Sequence, residues 1–356
     1  MKMLFYINTL SHGGAERVFS NLANNFAEAK HEVYFLTSFR CDNEYQLYES
    51  IKRFSIEDEP KRHTFIWRNI KRISALREII KTVKPGIVLT TSPETNVRAI
   101  LACMLIRAKI KKVILLITAP EREYKSPFLR GICKILYHYA DTIVCQTPEQ
   151  KLWFPGVIQE RCVLLFNQVQ GEFFYLSPQG ERKNIVSVGR LVYEKKFDIL
   201  IRSFALISNQ TNDHLIIYGE GPLRSELEKL IVELGLLNRV VLPGIINNVA
   251  DAIVNARMFI LSSEVEGLPN ALMEAMALGL PCIATDSQGG GVRFLSENGK
   301  YLKMIPVNDI DALSDAMRVF LEHPEVAEQY GEKAKTKARD FQYQKVFKQW
   351  VDIISI

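Results

Sequence analysis

The chain has 356 residues, of which 47% are hydrophobic and 24% are charged. These fractions are typical of soluble globular proteins, and they exclude a disordered tail, a collagen-like repeat and a small disulfide-stapled domain. The length predicts two domains of ordinary size. The six cysteines are scattered without metal-ligand spacing, so we expect reduced core residues of a cytosolic protein.

The net charge of +5 is unevenly distributed. Residues 1–170 contain 25 Lys and Arg against 16 Asp and Glu, a charge of +9. Residues 171–356 contain 20 against 24, a charge of −4. This asymmetry suggests an anionic partner for the first part, although a chance imbalance on a solvated surface is the alternative.

No apolar run approaches the roughly 18 residues that cross a bilayer. The N-terminal sequence MKMLFYIN has an apolar stretch of five residues, which is too short for a signal-peptide core and suits a first buried strand. We therefore expect a cytoplasmic protein.

Short apolar runs alternate with amphipathic segments, the pattern of a parallel sheet covered by helices on both faces. The predicted elements of the first part are strands at residues 4–7, 32–36, 86–90, 112–117 and 142–145, and helices including 15–29 and 70–83. Residues 171–183, with Pro178 and Gly180, predict a linker.

The pattern restarts after the linker. The predicted elements there are strands at residues 184–188, 214–218, 240–242, 258–261 and 282–285, and helices including 198–208, 223–234 and 270–278. We therefore predict an α/β protein of two doubly wound, Rossmann-like domains, 1–170 and 184–340, with a helix at 341–356 packing back on the first. Ligands of such sheets bind beyond the carboxyl ends of the strands.

The loop TLSHGGAER follows the first predicted strand and places Gly13 and Gly14 before a helix. Glycines at a helix N-terminus let backbone N–H groups approach an anion, but the same pair suits an ordinary tight turn. The G-x-G-x-x-G spacing of dinucleotide-binding loops is missing, which makes a nicotinamide-dependent oxidoreductase a weak alternative.

The segment SVGRLVYEKK places Arg190 and Lys195 in a loop between a predicted strand and helix. Arg binds phosphate oxygens in a fork and Lys supplies a compact charge, so the pair suits a diphosphate. A solvated basic loop is the alternative.

The segment SSEVEGLPNALMEAMALGLPCIATDSQGG contains Glu266 on a loop and Glu274 in a helix that begins after Pro269. Eight positions at helical rise span about 12 Å, wider than the carboxylate pair of a glycosidase. The spacing suits two carboxylates that bind different hydroxyls of one extended ligand, with the helix N-terminus between them for a phosphate.

The run EGLPNALME followed by AMALGLPCIAT resembles the glutamate–seven residues–glutamate motif of retaining glycosyltransferase family 4. GGAER, VGRLVYEKK and YGEGPLRSELE follow the family's order, so the resemblance covers nearly the whole chain. It implies the GT-B fold, in which two Rossmann-like domains face each other across a cleft, with the nucleotide-sugar donor bound mainly by the second domain and the acceptor by the first.

The resemblance also implies roles for single residues. Glu274 would bind the ribose hydroxyls, Glu266 the transferred sugar, and Arg190 and Lys195 the diphosphate. The other implied donor contacts are Gly14, Gly221, Leu268, Asn270 and Ala271, and the implied acceptor contacts are Gly13 and Glu16. The family resemblance implies no metal and no further cofactor, because the nucleotide sugar is itself a substrate.

Two positions depart from the family pattern. Many relatives have a histidine after the strand at 112–117, where this chain has TAPEREY, and Glu121 and Arg122 are candidates for its acceptor contacts. Lys196 stands where a glycine is common.

Residues 61–84 contain eight Lys and Arg against one Glu, with apolar residues at helical spacing. A basic amphipathic helix is typical of a membrane-surface element, and Arg68, Lys71 and Arg72 are its candidate lipid-facing residues. The alternative is an apolar face that packs on the domain and solvated charges. Nucleic acid is disfavoured because no recognised binding module is present.

These observations predict a retaining, metal-independent transferase at the inner face of the cytoplasmic membrane. It would move a hexose or N-acetylhexosamine from a nucleotide sugar, with UDP-sugars favoured, to a polyprenyl-diphosphate-linked or other glycolipid or oligosaccharide acceptor, as in O-antigen or capsule assembly. A GDP-mannose-dependent mannosyltransferase is one alternative. A non-catalytic membrane-surface scaffold with a transferase-like fold is another.

Overall fold

The computed structural model describes residues 1–11, 13–57, 65–124 and 126–355, without the side chains at positions 65, 66, 121 and 122. The chain divides into two compact units, the first containing Met1–Leu165 and Trp350–Ile356 and the second Phe166–Gln349. The segment 171–183, expected to be a linker, begins with the helix Glu172–Tyr175, and Phe173 of this helix is buried in the core of the second unit. Its sequence EFFY supplies an apolar side that a linker lacks.

The described strands of the first unit form one parallel sheet. They are β1 (Lys2–Ile7), β2 (Glu32–Phe39), β3 (Lys52–Glu57), β4 (Ile87–Thr91), β5 (Lys111–Leu115), β6 (Thr142–Cys145) and β7 (Cys162–Leu164), in the order β3-β2-β1-β4-β5-β6-β7. The helices are α1 (Gly14–Glu28), α2 (Phe65–Val83), α3 (Pro93–Met104), α4 (Pro120–Glu123), α5 (Pro127–Leu136), α6 (Pro148–Leu152) and α7 (Gly156–Gln159).

Stacked phenylalanines fill one side of this sheet. Phe5 of β1 and Phe35 of β2 lie side by side with ring centroids 6.1 Å apart, and Phe19 and Phe26 of α1 pack against them. Trp350, near the chain's C-terminal end, lies edge-on to Phe26 at 6.4 Å. This contact explains why the last residues of the chain belong to the first unit.

The described strands of the second unit form another parallel sheet. They are β8 (Ile185–Val188), β9 (Leu215–Tyr218), β10 (Val240–Gly244), β11 (Met258–Leu261), β12 (Cys282–Thr285) and β13 (Lys303–Ile305), in the order β10-β9-β8-β11-β12-β13. The helices from the chain's midpoint onward are α8 (Glu172–Tyr175), α9 (Phe197–Ile207), α10 (Arg224–Glu233), α11 (Val249–Ile253), α12 (Asn270–Ala277), α13 (Gly291–Ser296), α14 (Ile310–Glu322), α15 (Pro324–Ala338) and α16 (Tyr343–Ser355).

Three observed strands were not predicted from the sequence: β3, β7 and β13. All three are edge strands, and β7 and β13 have three residues each. The sequence of β3 is KRFSIE, and none of its residues is fully buried. Edge strands are covered less completely, so β3 and β13 lack the continuous apolar run that reveals a central parallel strand. Strand β7 lies in the apolar run CVLLF, and its three residues are too few to be recognised as a strand.

Both sheets reverse their strand order beside their first strand, between β1 and β4 and between β8 and β11. The loops that follow these four strands therefore surround the two topological switch points. In doubly wound sheets a switch point opens a crevice at the carboxyl ends of the strands, where ligands bind.

Candidate functional site

Three loops are tied together at the carboxyl edge of the second sheet, after β8, β11 and β12. The Ser262 hydroxyl donates to the Lys195 carbonyl at 2.7 Å, and the Glu264 amide donates to the Glu194 carbonyl at 2.8 Å. The amides of Gln288 and Glu266 donate to the carbonyls of Glu264 and Gln288, each at 2.9 Å. These hydrogen bonds hold the loops that carry Lys195 and Glu266 beside the β8/β11 switch point.

Lys195 and Glu266 form an ion pair at this point. Lys195 Nζ lies 2.5 Å from Glu266 Oε1, and the side chains are 23% and 12% exposed. The structure thus brings together two residues that the sequence assigned to one ligand. Each is the other's partner here, so a phosphate reaching Lys195 would have to replace the Glu266 carboxylate.

Arg190 is the second predicted cation of the β8 loop. Its side chain is exposed and makes no hydrogen bond or ion pair with the part of the chain that the structure describes. Arg190 and Lys195 come from the same loop, but only Lys195 is neutralised by a carboxylate. The arginine fork is therefore available to an anionic ligand.

Lys196 adopts a left-handed conformation, with φ 50° and ψ 41°, at the start of α9. A non-glycine residue there costs about 1–2 kcal/mol, which accounts for the glycine common at this position. The buried ammonium lies 3.3 Å from Glu264 Oε2 and over the Tyr193 ring at 3.6 Å. Burial alone would lower the pKa of Lys196, but hydrogen bonds to Tyr193 and Glu264 outweigh it and raise the pKa.

Two glycines let the β8 and β9 loops approach each other closely. A Cβ at Gly219, where φ is 139°, would lie 1.9 Å from the Gly189 carbonyl oxygen. A Cβ at Gly221 would lie 2.3 Å from the Leu191 carbonyl oxygen. Packing between backbones therefore requires glycine at Gly221, and the donor contact implied for this residue stays a prediction.

Helix α12 carries the second predicted carboxylate. Glu274 is 8% exposed and lies among the buried apolar residues of this helix. Asn270, the first residue of α12, accepts a hydrogen bond from Asn167 at 2.8 Å, and Ala271 is half-buried. Leu268 is a buried core residue, so only its backbone could contact a ligand. The first turn of any helix leaves backbone N–H groups without helical partners, which suits an anion.

The glycine pair of the first unit lies at the N-terminus of α1, after β1. A Cβ at Gly13 would lie 2.2 Å from the Glu16 carboxylate, whereas a Cβ at Gly14 would meet nothing within 4 Å. Glu16 thus covers Gly13, and the described residues leave the space beside Gly14 open. No contact within the described chain requires glycine at position 14.

A buried arginine that the sequence reasoning missed lies at the β1/β4 switch point. Arg98 of α3 is 4% exposed. Its Nη1 donates to Asn8 at 2.8 Å and to Tyr6 and Ser38 at 3.3 Å each, and its Nε donates to Asn69 at 2.8 Å. Within the described ranges, no carboxylate pairs with it. The sequence feature that could have indicated a buried arginine is a charged residue inside the largely apolar segment NVRAILACM.

Ser92, between β4 and α3, is a strained residue at the same switch point. Its φ of 78° and ψ of 139° lie in a region that side chains rarely adopt. The Ser92 carbonyl accepts hydrogen bonds from the Thr95 hydroxyl and the Asn96 amide, both at 3.0 Å. These bonds hold the β4 loop in its strained form.

The prediction that Arg72 faces a lipid surface is wrong. Arg72 is 4% exposed, and its Nε and Nη2 donate to the two Glu57 oxygens at 2.8 and 3.1 Å. Arg72 therefore joins α2 to β3 and cannot face a lipid surface. Lys71 is exposed and Arg68 is half-buried, so their contact with lipid stays a prediction. Residues 61–64 lie outside the described residues.

The candidate acceptor residues Glu121 and Arg122 lie in α4. Their side chains are outside the part of the chain that the structure describes, so their contacts stay predictions. Across the described ranges, no helix is long and apolar enough to cross a bilayer.

Two family models match the two units in turn. The model described as Glycosyltransferase Family 4 matches residues 12–154, and the model described as Glycosyl transferases group 1 matches residues 171–337. The chain is a glycosyltransferase. The predicted resemblance to glycosyltransferase family 4 is therefore confirmed, and the nicotinamide-dependent oxidoreductase is excluded.

Similar proteins extend over the full length of this glycosyltransferase. It is 26% identical, over 100% of this chain and 98% of the relative, to a Campylobacter jejuni α-1,4-N-acetyl-D-galactosaminyltransferase named for the acceptor GalNAc-α-(1→4)-GalNAc-α-(1→3)-diNAcBac-PP-undecaprenol. It is 22% identical to the amylovoran biosynthesis glycosyltransferase AmsD of Erwinia amylovora, over 99% of each chain.

The solved structure of Anabaena HepE, crystallised with UDP and glucose, has a TM-score of 0.83 and 18% identity. The alignment covers 100% of this chain and 99% of HepE. At this identity the likeness shows the fold alone. The predicted GT-B fold is confirmed.

Proposed function

We propose that this glycosyltransferase moves a hexose or N-acetylhexosamine, with retention of anomeric configuration, from a nucleotide sugar to a polyprenyl-diphosphate-linked or similar glycolipid or oligosaccharide acceptor. The reaction would take place at the inner face of the cytoplasmic membrane. A UDP-sugar is the first donor to test and GDP-mannose the second. The observation that carries the proposal is the Lys195–Glu266 ion pair at the β8/β11 switch point, beside the exposed Arg190.

The donor's diphosphate would bind at this switch point. As the bond to the anomeric carbon breaks, negative charge grows on the departing phosphate, and fixed positive groups stabilise that charge. Arg190 has no described partner to lose, and Lys195 can exchange the Glu266 carboxylate for a phosphate oxygen. Glu266 would then be released toward the sugar. Because these cations and the N-terminus of α12 supply the positive charge, we propose that no metal ion is required.

The nucleoside would be held by α12. Glu274 lies one turn inside this helix and is buried, so its carboxylate would bind the ribose hydroxyls in a site that excludes water. Charge-assisted hydrogen bonds of this kind are stronger than neutral ones. The amides of Asn270 and Ala271 would face the phosphates at the start of the same helix.

The acceptor would bind to the first unit. The C. jejuni relative is named for an undecaprenol-linked acceptor and the E. amylovora relative for amylovoran biosynthesis. An acceptor with a diphosphate is anionic, and residues 1–170 carry the chain's positive charge. The open space beside Gly14 is available to a ligand, and Glu121 and Arg122 remain candidate acceptor contacts.

A thermal-shift screen of the purified chain with UDP-, GDP- and dTDP-sugars tests the donor, because a ligand that binds the folded state raises the melting temperature. We expect UDP-sugars to give the largest increase. Glu274→Gln should abolish this increase without lowering the melting temperature of the unliganded protein. The matched control is Glu226→Gln, at an exposed position of α10.

A transfer assay tests the reaction itself. The anomeric configuration of the product, read by NMR, should match that of the donor, and EDTA should leave the rate unchanged. An inverted product would refute retention, and a rate that EDTA abolishes and a divalent cation restores would refute metal independence. Transfer from no nucleotide sugar, with no thermal shift, would favour the scaffold.

A further inference from the structure

A tyrosine in the loop after β8 is exposed at the carboxyl edge of the second sheet. Tyr193, between β8 and α9, is 67% exposed. Of the residues that the structure describes, only Lys196 places a charged or aromatic group against its ring, with the ammonium 3.6 Å from the ring centroid. One face of the ring is thus occupied by the ammonium, and most of the remaining side chain is open to solvent.

This ring is held more firmly than an ordinary surface side chain. The Lys196 side chain is 7% exposed, and its ammonium lies 3.3 Å from Glu264 Oε2, so the group under the ring is itself fixed. Lys196 also has a left-handed backbone, which residues other than glycine rarely adopt. A left-handed lysine and an exposed aromatic ring are each unfavourable for folding, whereas a ring that is already fixed loses little entropy when it binds a ligand. The arrangement therefore favours a binding role for Tyr193.

Two ion pairs join the loop after β8 to the loop after β11. Lys195 pairs with Glu266 at the proposed donor site, and Lys196 pairs with Glu264. Glu264 precedes Glu266 by two positions, and Tyr193 precedes Lys195 by two positions. The ring therefore belongs to the same pair of loops as the proposed donor site.

A pyranose ring suits this surface. The C–H groups on one face of a pyranose form an apolar patch, and its hydroxyls surround that patch. A tyrosine ring offers flat apolar area to the patch, and the tyrosine hydroxyl can bond with a sugar hydroxyl. A nucleobase could also stack on the ring, but the proposed function places the nucleoside at α12. The contacts of Tyr193 lead instead to Glu264, two positions before the proposed sugar contact Glu266, which favours a sugar.

We propose that Tyr193 binds a pyranose ring of a substrate and that Lys196 positions the tyrosine. The pyranose lies on the ring face turned away from the ammonium, which we call the Tyr193 face. Both the sugar of the donor and the sugar of the acceptor have this chemistry, and binding measurements separate the two. The inference deepens the proposed function and rests on it, because it adds a sugar contact to the same site. It also gives the lysine at position 196 a role that glycine could not fill.

Replacement of the aromatic ring tests the sugar contact. Tyr193→Ala should raise by about tenfold either the Kd of the nucleotide sugar, measured by calorimetry, or the KM of the acceptor. The Kd of the nucleoside diphosphate alone should stay unchanged. Tyr193→Phe keeps the ring, so its constants should stay within about threefold of those of the wild type. The matched control is Tyr175→Ala, at a tyrosine of the second unit that is 80% exposed, and it should change none of these constants.

The affected constant identifies the source of the sugar. A higher Kd for the nucleotide sugar, with an unchanged Kd for the nucleoside diphosphate, would place the donor's sugar on the Tyr193 face. A higher KM for the acceptor alone would place the acceptor's sugar there. Equal weakening of the nucleotide sugar and of the nucleoside diphosphate would overturn the proposal. So would unchanged constants together with a lower melting temperature, because the ring would then only cover Lys196.

Lys196→Ala tests the positioning role, because it removes the ammonium and keeps the left-handed backbone. It should raise the affected constant about threefold when Tyr193 is present and not at all in the Tyr193→Ala background, since the lysine acts through the ring. A further rise in that background would overturn the positioning role.

Failure of this inference and failure of the proposed function give different results. If the wild type transfers sugar from a nucleotide sugar and Tyr193→Ala keeps every wild-type constant, the inference fails and the proposed function stands. The methyl glycosides of hexoses and N-acetylhexosamines provide the opposite case, with binding followed by saturation-transfer NMR. If the wild type transfers no sugar but binds such a glycoside, and Tyr193→Ala loses that binding, the proposed function fails and the Tyr193 face stands.

Discussion

At the β8/β11 switch point, Lys195 is paired with Glu266 and remains 23% exposed. At the β1/β4 switch point, Arg98 is 4% exposed, and the partners that the structure describes for it are neutral oxygens. Both cations occupy the place where a doubly wound sheet binds its ligands. They differ in what a ligand would have to displace.

A paired, half-exposed cation can exchange one anion for another at modest cost, because water screens the intermediate state. A cation buried among neutral dipoles is costly to disturb, because every group around it would lose a hydrogen bond. We infer that the second unit uses its switch-point cation for binding. The first unit uses its arginine to hold the β1 loop through Asn8 and the start of α2 through Asn69.

Lys195→Ala gives the largest expected effect. Removing a cation that stabilises a departing phosphate should lower kcat by about 10²–10³, as with other groups aimed at developing charge. Steady-state transfer kinetics would measure it. The control is Lys229→Ala, at an exposed position of α10, and this substitution should leave kcat unchanged. A loss of less than about tenfold would mean that Lys195 serves the loop structure and not the reaction.

Arg98→Leu should lower the stability of the first unit by about 3 kcal/mol, because it leaves buried oxygens without their donor. All three tryptophans (Trp67, Trp153 and Trp350) belong to the first unit, so their fluorescence during urea unfolding reports on it. The control is Arg107→Leu, at an exposed position. If Arg98→Leu is as stable as the control variant and instead has a higher KM, the buried arginine contacts a ligand. The two switch points would then not differ in how they use their cations.

The second-unit site could be predicted from the sequence because its residues lie in local motifs. Glu266 and Glu274 are eight positions apart, and Arg190 and Lys195 are five, so one loop or helix places each pair. The contact between Lys195 and Glu266 could not be predicted. It depends on the pairing of β8 with β11, which brings together residues that are 71 positions apart.

The Arg98 cluster could not be predicted for the same reason. Its members come from β1, β2, α2 and α3, and no two of them form a recognisable spacing. Arg72 was wrongly assigned because helical periodicity places it near Lys71, whereas its bond to Glu57 depends on where β3 lies. The central strands were predicted well, since both of their faces are buried.

Gly14→Val is expected to have a smaller effect, and it tests whether the first unit binds its ligand through backbone. No atom of the described residues lies within 4 Å of a Cβ built at Gly14, so the melting temperature should barely change. If a ligand fills that space, KM for the donor or the acceptor should rise about tenfold, equivalent to about 1.4 kcal/mol. Gly156→Val, at another glycine with open surroundings, is the control. Unchanged KM values for both substrates would remove Gly14 from the site.

Lys196→Gly gives the smallest expected effect and tests the lysine that replaces the family's glycine. Glycine would relieve a left-handed backbone that costs lysine about 1–2 kcal/mol. The loss of the Glu264 ion pair and of the contact with the Tyr193 ring should cost a similar amount. We therefore expect the free energy of unfolding to change by less than about 1 kcal/mol.

Lys196→Ala separates the two contributions, because it removes the contacts and keeps the strained backbone. Its unfolding, followed by circular dichroism in urea, should show a loss of about 1–2 kcal/mol relative to Lys196→Gly. Equal stability of the two variants would mean that the left-handed conformation costs nothing here. In that case the Glu264 and Tyr193 contacts alone would account for lysine at this position, and the β8 loop would be held by its side chains and not by its backbone.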